Sequence, residues 1–347
     1  MKKIYIAAGG TGGHINAALA MGEELGDQYQ VSYLTGTRYL DYQLFKDTPV
    51  LHLKSRPLRT KNPLTLVINI FLNLLVFLKI ILMYMFDRPA FVLGAGGYIC
   101  GPTLLAARFL FIPIFIIEQN AVAGVTNKIL SKVSSLVFTN FENTKGIKKT
   151  KKVLNVGNPI RKSIQSTQNS KDDKLKVLVF GGSLGASQIN KAIEIIIKEK
   201  SDLNLDIIHQ VGKGSLIEDI SIAEGISYEQ LEYIDDMQKV YAWANIIIAR
   251  SGASTVSELR IVKKPTIIVP FPAATDNHQY YNAKELKEED GFFVEIIDHK
   301  LKGEELAFQI KESIGKIESK NLYYQNELAI NRASECIKNE ILKYVRN

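Results

Sequence analysis

Two short runs constrain this chain more than any other feature. Residues 2–8, "KKIYIAA", are β-rich and lead directly into "GGTGGH" at 9–14, and residues 174–180, "KLKVLVF", lead likewise into "GGSLGAS" at 181–187. Four glycines in six positions cost more backbone entropy than a plain turn requires. The cost makes sense where backbone N–H groups at a helix N-terminus must come close to a phosphate or a sugar oxygen, because glycine lacks the β-carbon that would block the approach. Two such loops at equivalent places imply one plan used twice: strand, glycine loop, helix.

The remaining pattern extends that plan. "HINAALAMGEELG" has helical spacing and "YQVSYLTG" reads as a strand, giving a β-α-β unit and therefore a parallel sheet. "PAFVLGAGGY", "IPIFIIEQN" and "SLVFTNF" add strands to the first half; "DLNLDIIHQVG", "NIIIARSG" and "PTIIVPFP" add strands to the second. With 347 residues, 46% of them hydrophobic, the chain can bury two cores. The predicted fold is α/β, two Rossmann-like domains facing a shared cleft, with the boundary near 157–174 and the domains taken as residues 1–157 and 158–329. A helix over about 330–347 is expected to pack back on the first domain. In open α/β sheets ligands bind outside the carboxyl ends of the strands, so function is sought in the strand-end loops.

A formal charge of +7 favours an anionic partner: a phosphorylated substrate, an acidic lipid surface or nucleic acid. The two cysteines, Cys100 and Cys336, are far apart and lack metal-ligand spacing, which argues against a disulfide framework or zinc site and suits a reducing compartment. The first strand starts at residue 2 or 3 and leaves no room for a signal peptide, so a cytoplasmic location is expected.

Residues 64–86, "LTLVINIFLNLLVFLKIILMYMF", are nearly as long and apolar as a membrane span, and Arg56, Arg59 and Lys61 precede them. At helical spacing Thr65, Asn69, Asn73 and Lys79 fall within an arc of roughly 120°. Three readings stand: a core helix against a sheet, an interfacial helix dipping into a bilayer, or a span, the last disfavoured by the ordinary strand and loop pattern that follows.

Neither glycine loop carries the Lys-Ser/Thr of a Walker loop, and "GGTGGH" is out of register with G-x-G-x-x-G. The second strand ends in Leu34, Thr35 and Gly36, where a dinucleotide site would want an acid, so a dehydrogenase is disfavoured. His14 opens the first helix, where the positive end of the helix dipole disfavours a cation; a neutral imidazole can act as general base, or can serve as a structural donor. In "RSGASTVSE" (250–258), Glu258 lies one turn into a helix and can accept both ribose hydroxyls while loop N–H groups face phosphate; a capping box is the structural alternative. "DNHQYYNA" (276–283) supplies polar side chains suited to sugar hydroxyls, or to solvent.

The ordered set "GGTGGH", "GAGGYICGP", "EQNAVAGVTNK", "GNPIR", "GGSLGAS", "YIDDM", "RSGASTVSE" and "HQYYNA", spanning residues 9–283, is similar to the bacterial undecaprenyl-diphospho-muramoylpentapeptide N-acetylglucosaminyltransferases, the MurG family, which make lipid II. The resemblance implies a GT-B fold, UDP-N-acetylglucosamine as donor, and the lipid-linked muramyl pentapeptide (lipid I) as acceptor. It implies inverting, metal-independent transfer with no cofactor, at the cytoplasmic face of a membrane with an anionic inner leaflet. It also implies cell-wall synthesis and division proteins, rather than nucleic acid, as partners. Carried onto matching positions, Thr11, Gly12 and Gly13 line the donor site, and Asn120 and Gln279 contact the sugar. Arg161 and Ser183 serve the diphosphate region, Ile234 meets uracil through its backbone, and Ala253, Ser254, Thr255, Val256, Ser257 and Glu258 hold phosphate and ribose. Tyr98, Asn127 and Asn282 are candidates for the acceptor. His14 is the first candidate base and Glu118 the second. The chain departs from the family at Ile117, where a histidine is usual, at Leu184, where a glutamine is usual, and in lacking a proline after His14. A UDP-N-acetylglucosamine 2-epimerase, a transferase acting on another lipid, and a membrane-surface nucleotide-sugar binding module are the rival readings.

Overall fold

The computed structural model describes residues 1–160, 164, 174–182, 185–199, 203–288, 291–322 and 331–346. The chain forms two compact units, Met1–Arg161 with Asn331–Asn347, and Lys162–Ile330.

The first unit begins β1 (Lys2–Ala7), α1 (Gly12–Leu25), β2 (Tyr29–Thr35), α2 (Tyr39–Leu44), β3 (Val50–His52) and α3 (Pro63–Phe86). It continues β4 (Val92–Gly94), α4 (Cys100–Phe109), β5 (Ile114–Glu118), α5 (Val125–Leu130), β6 (Leu136–Thr139) and β7 (Val153–Asn155). The strands form one parallel sheet in the order β3-β2-β1-β4-β5-β6-β7. Along β1 the side chains alternate between two cores: Ile4 and Ile6 pack with Ile15, Met21 and Phe91 on one face, Tyr5 and Ala7 with Ile80, Tyr84 and Leu104 on the other. All five residues of β5 are buried, because helices cover both faces and leave no polar side for alternation.

The second unit contains β8 (Leu175–Phe180), α6 (Ser187–Lys198), β9 (Leu205–Gln210), β10 (Ile226–Leu231), α7 (Met237–Trp243) and β11 (Ile246–Ala249). It goes on with α8 (Ala253–Val262), β12 (Thr266–Ile268), a 3-10 turn (Thr275–Asn277), α9 (His278–Lys287), β13 (Val294–Ile296) and α10 (Gly303–Ser319). Its parallel sheet runs β10-β9-β8-β11-β12-β13. Both sheets therefore reverse direction beside their first strand, between β1 and β4 and between β8 and β11, and such switch points are where open α/β sheets bind ligands. The chain ends in α11 (Ala333–Arg346), which returns to the first unit. Ile337 and Ile341 join the core around Ile4, Tyr344 meets the edge of Phe115 at 5.5 Å, and Lys338 pairs with Glu24.

Helix α3 overturns the core-helix reading of residues 64–86. Asn62 caps it, its Oδ1 accepting from Leu64 N (2.9 Å) and Thr65 N (3.3 Å), and Pro63 occupies the first turn, where a missing N–H costs nothing. Only Asn69, Val76, Ile80 and Tyr84 are buried along its 24 residues. Half of the polar stripe turns inward: Asn69 Nδ2 donates to Pro57 O (2.8 Å), and Asn73 accepts from Ser55 Oγ (2.6 Å) and Arg56 N (3.2 Å) while donating to Arg56 O (2.8 Å). Leu64, Val67, Ile68, Phe71, Leu74, Leu75, Leu78, Leu82 and Met85 are exposed instead, as are Phe109 and Phe111 beside them. Among the described residues this is the one helix long and apolar enough to cross a membrane, yet Val76, Ile80 and Tyr84 pack one side of it onto the sheet.

Candidate active site

At the switch point of the first unit, the loops after β1 and β4 interlock. Gly9 N donates to Gly96 O at 3.3 Å, and a β-carbon on Gly97 would lie 2.1 Å from Gly9 O. Gly96 and Gly97 also have φ of +110° and +94°, which glycine alone adopts without strain. Thr11 is the N-cap of α1, its hydroxyl accepting from His14 N, and Gly12 and Gly13 form the first helical turn, whose N–H groups have no partners within the helix. His14 Nδ1 lies 3.3 Å from Gly9 O. A carbonyl can only accept, so Nδ1 carries a proton; in the neutral ring the lone pair is then on Nε2, the tautomer a general base needs.

Asp41 and Arg38 complete this end, and sequence reasoning passed over both. Asp41, fully buried, accepts from Gly10 N and Arg38 N, each at 3.0 Å. Arg38 reaches Gly10 O with Nη1 (3.4 Å) and lies over the Tyr98 ring at 4.9 Å. Burial pushes the Tyr98 phenol above its ordinary pKa. The available signal was an acid three residues after Arg38 at the start of a helix just past a strand-end glycine, "GTRYLD".

Three candidates are tied into the hydrogen bonds of their own unit. Glu118 is buried and its two oxygens accept from Asn120 N (2.9 Å), Asn120 Nδ2 (3.4 Å), Gly124 N (3.1 Å) and Asn127 Nδ2 (2.9 Å). Burial raises its pKa, and both oxygens are engaged by the 119–124 loop and Asn127, which makes it part of the scaffold of that loop. Asn127, buried, also donates to Ile117 O (3.1 Å) and belongs to the same scaffold, with its Oδ1 unpartnered. Asn282, fully buried, donates to Ser251 O (3.1 Å) and fixes the loop before α8 instead of facing an acceptor. Asn120 is half-buried beside Glu118.

In the second unit, Gly182 and Gly185 take positive φ in the loop after β8, and a β-carbon on Gly185 would meet Val211 O at 2.0 Å. Gln210 ties that loop to the next, its Nε2 donating to Gly182 O (2.8 Å) and its Oε1 accepting from Ile234 N (3.1 Å). The Ile234 N–H is thus committed to Gln210. Arg161 and Ser183 lie outside the described residues.

Helix α8 starts at Ala253 after Gly252, which offers no capping side chain, and the Ser254 hydroxyl is buried without a partner. The capping-box alternative is absent, since Ser257 Oγ bonds back to Ala253 O (2.9 Å). The first-turn N–H groups near Ala253, Ser254 and Thr255 are thereby available to an anion. Val256 and Ser257 are buried. Glu258 is half-buried, its Oε2 accepting from Tyr241 Oη at 2.7 Å. Gln279 Oε1 accepts from Phe271 N (2.9 Å) and its carbonyl from Ser251 Oγ (2.7 Å). Arg250, two residues before Gly252, is buried, donates to Val269 O, Pro270 O and Gln188 Oε1 at 2.9–3.0 Å, and is brought down to about 10 by burial. It places a fixed charge behind this loop, another feature sequence reasoning did not single out.

Comparison with known proteins follows the same division. Residues 4–139 match the glycosyltransferase family 28 N-terminal domain and residues 176–339 the glycosyltransferase family 28 C-terminal domain. The UDP-N-acetylglucosamine–N-acetylmuramyl-(pentapeptide) pyrophosphoryl-undecaprenol N-acetylglucosamine transferase of Myxococcus xanthus is 36% identical, with 90% of this chain and 84% of the relative aligned. The same enzyme of Geobacter sulfurreducens is 35% identical over 89% of both chains. The crystal structure of MurG from Acinetobacter baumannii superposes with a TM-score of 0.79 at 29% identity, covering 99% of this chain and all of that one. A UDP-GlcNAc 2-epimerase from Neisseria meningitidis shares the fold alone, with a TM-score of 0.65 at 14% identity over 98% of this chain and all of the other. With two parallel α/β units of the GT-B type and relatives of this identity along most of its length, the chain belongs to glycosyltransferase family 28, among its UDP-N-acetylglucosamine–N-acetylmuramyl-(pentapeptide) pyrophosphoryl-undecaprenol N-acetylglucosamine transferases.

Proposed function

We propose that the chain transfers N-acetylglucosamine from UDP-N-acetylglucosamine to the 4-hydroxyl of the muramyl sugar of lipid I, with inversion, making lipid II for peptidoglycan. The observation that carries this reading is His14 at the switch point of the first unit, with Nδ1 against Gly9 O; taken by itself, the second unit supplies an open helix N-terminus and a half-buried carboxylate held by Tyr241. His14 Nε2 takes the proton of the attacking hydroxyl as its oxygen bonds to the anomeric carbon, and the bond from that carbon to the diphosphate oxygen breaks, its electron pair leaving with UDP. Charge then grows on the diphosphate. The α8 first turn, the Gly182–Gly185 loop and the Arg250 guanidinium are oriented before the reaction and stabilise that charge without reorganisation. Glu258 holds the ribose and Gln279 the sugar.

The acceptor's polyprenyl chain keeps it in a bilayer, and the exposed face of α3 suits a protein that docks there peripherally. Each large apolar side chain contributes about 1.5–3 kcal/mol if fully inserted, and each nearby basic residue about 1 kcal/mol on anionic lipid. Arg56, Arg59 and Lys61 supply that charge at the cytoplasmic face.

Incubating the purified protein with labelled UDP-N-acetylglucosamine and a short-chain lipid I analogue tests the activity. A β-linked disaccharide product is expected; release of free sugar or an epimerised donor without transfer would refute the assignment.

A further inference from the structure

We propose that Lys264 is a positioning residue for the donor. By holding the end of α7 it sets the Tyr241 hydroxyl against Glu258, the carboxylate to which the transferase reading above, on which this inference rests, gives the ribose.

Lys264 is fully buried where the chain passes from α8 to β12. Its ammonium donates to Ala242 O at 2.9 Å and to Ala244 O, and among the described residues it has no carboxylate in an ion pair. Both acceptors belong to the C-terminal end of α7, where the last carbonyls of a helix lack partners within it and the helix dipole favours a cation. Burial, helped by the charge of Lys176, brings Lys264 down to about 8. Taking an ammonium out of water costs free energy that a methionine in the same place does not.

The cation fixes a helix that is short. Met237–Trp243 is seven residues, too few to keep helical geometry without outside contacts. Asp236 caps its start, Oδ1 accepting from Lys239 N at 3.1 Å, and Lys264 closes its end. Just beyond, Asn245 ties the chain to β8, its N–H donating to Lys176 O (2.8 Å) and its Oδ1 accepting from Lys176 N (2.9 Å).

Two ties of opposite sense thus join α7 to the α8 segment. Tyr241 of α7 reaches forward to Glu258 of α8, and Lys264, two residues past the end of α8, reaches back to the carbonyls on either side of Trp243. Between them Lys263 takes a left-handed φ of +50°, which turns the chain immediately before Lys264. Ala242 directly follows Tyr241, so a shift of the anchored carbonyl is a shift of the phenol. Without the ammonium, the carbonyls of Ala242 and Ala244 lose their bond to the segment that carries Glu258, and the carboxylate loses its fixed orientation.

Calorimetric binding of UDP and of 2′-deoxy-UDP to the full-length protein reads the ribose contact with no transfer step. The ratio of the two affinities is measured for the wild type, Lys264→Met, Tyr241→Phe and the double variant. The wild type should favour UDP about tenfold, as loss of a hydrogen bond to a charged group requires. Lys264→Met should lower that ratio at least about threefold and leave 2′-deoxy-UDP binding within about twofold. In the Tyr241→Phe background the same substitution should change the ratio less than about twofold, the non-additivity of residues acting through one contact. An unchanged ratio in Lys264→Met, equal weakening of both nucleotides, or full additivity with Tyr241→Phe overturns the proposal and leaves the ribose on Glu258. A wild type that binds both nucleotides equally takes the ribose away from Glu258, and the proposal falls with it. Thermal melting checks the fold of each variant, and Lys264→Gln replaces the Met variant if that one does not fold. If neither folds, Lys264 serves the fold rather than the ribose and the proposal fails.

Discussion

The Tyr241 hydroxyl donates a 2.7 Å hydrogen bond to Glu258 Oε2. Tyr241 is fully buried on α7 and set edge-on to Phe180 at 6.0 Å, so the donor is rigid and the half-buried carboxylate is held in one orientation. Tyr241→Phe keeps the ring and removes only the hydroxyl. A hydrogen bond to a charged group contributes about 1.5–3 kcal/mol, so the donor KM should rise about tenfold with kcat little changed, and Glu258→Ala should raise it further. Steady-state kinetics at varied UDP-N-acetylglucosamine checks both.

His14→Ala should lower kcat by about 10²-fold or more at saturating donor and acceptor, as loss of a general base does, with the donor KM nearly constant. Glu118→Gln should instead reduce thermal stability, since the buried carboxylate accepts four hydrogen bonds and an amide oxygen cannot replace both of its oxygens. A variant whose kcat falls while its melting temperature holds would assign Glu118 to the chemistry after all.

Gly97→Ala places a β-carbon 2.1 Å from Gly9 O at a φ of +94°, forcing apart the two loops that present His14. Its kcat/KM should fall at least about tenfold through misplacement of His14. Gly101→Ala, whose nearest new neighbour is 3.8 Å away, should stay within about twofold and serves as the control.

His209 supplies a pH dependence of stability. It is buried between Tyr228 Oη (3.0 Å) and Asn190 Oδ1 (3.2 Å), and burial lowers it from 6.5 to about 4. Between those values the unfolded chain binds a proton that the folded one excludes, so stability is fully present above about pH 6.5 and is lost as pH falls toward 4. The amount is about 3 kcal/mol. Chemical denaturation from pH 4 to 7 should show this slope, flattened in His209→Gln.

Leu75→Ser with Leu78→Ser tests the docking face. Both side chains are about half exposed, at 47% and 49%, so the melting temperature should barely move, while binding to anionic vesicles weakens. Wild-type binding should rise with anionic lipid and fall with salt, as screening requires. An unfolded double variant with no binding defect in its folded fraction would return α3 to the core.

The sequence by itself determined the parallel α/β plan, the two glycine loops at strand ends and the helix start carrying Glu258. These features depend on near neighbours: residue periodicity, glycine's conformational freedom and the N–H groups left open at a helix start. The tertiary structure decided which polar side chains are presented and which are consumed. Asn69 and Asn73 turn toward the segment at 55–57, so the apolar side of α3 faces out, an outcome helical spacing leaves undetermined because it defines a stripe but not what packs against it. Asp41 meets Gly10 across 31 residues, Asn282 meets Ser251 across the same separation, and Gln210 occupies Ile234 N across 24. Burial and hydrogen-bond partners are set by contacts between distant segments, and it is those contacts that tie Glu118, Asn127 and Asn282 into the loops around them.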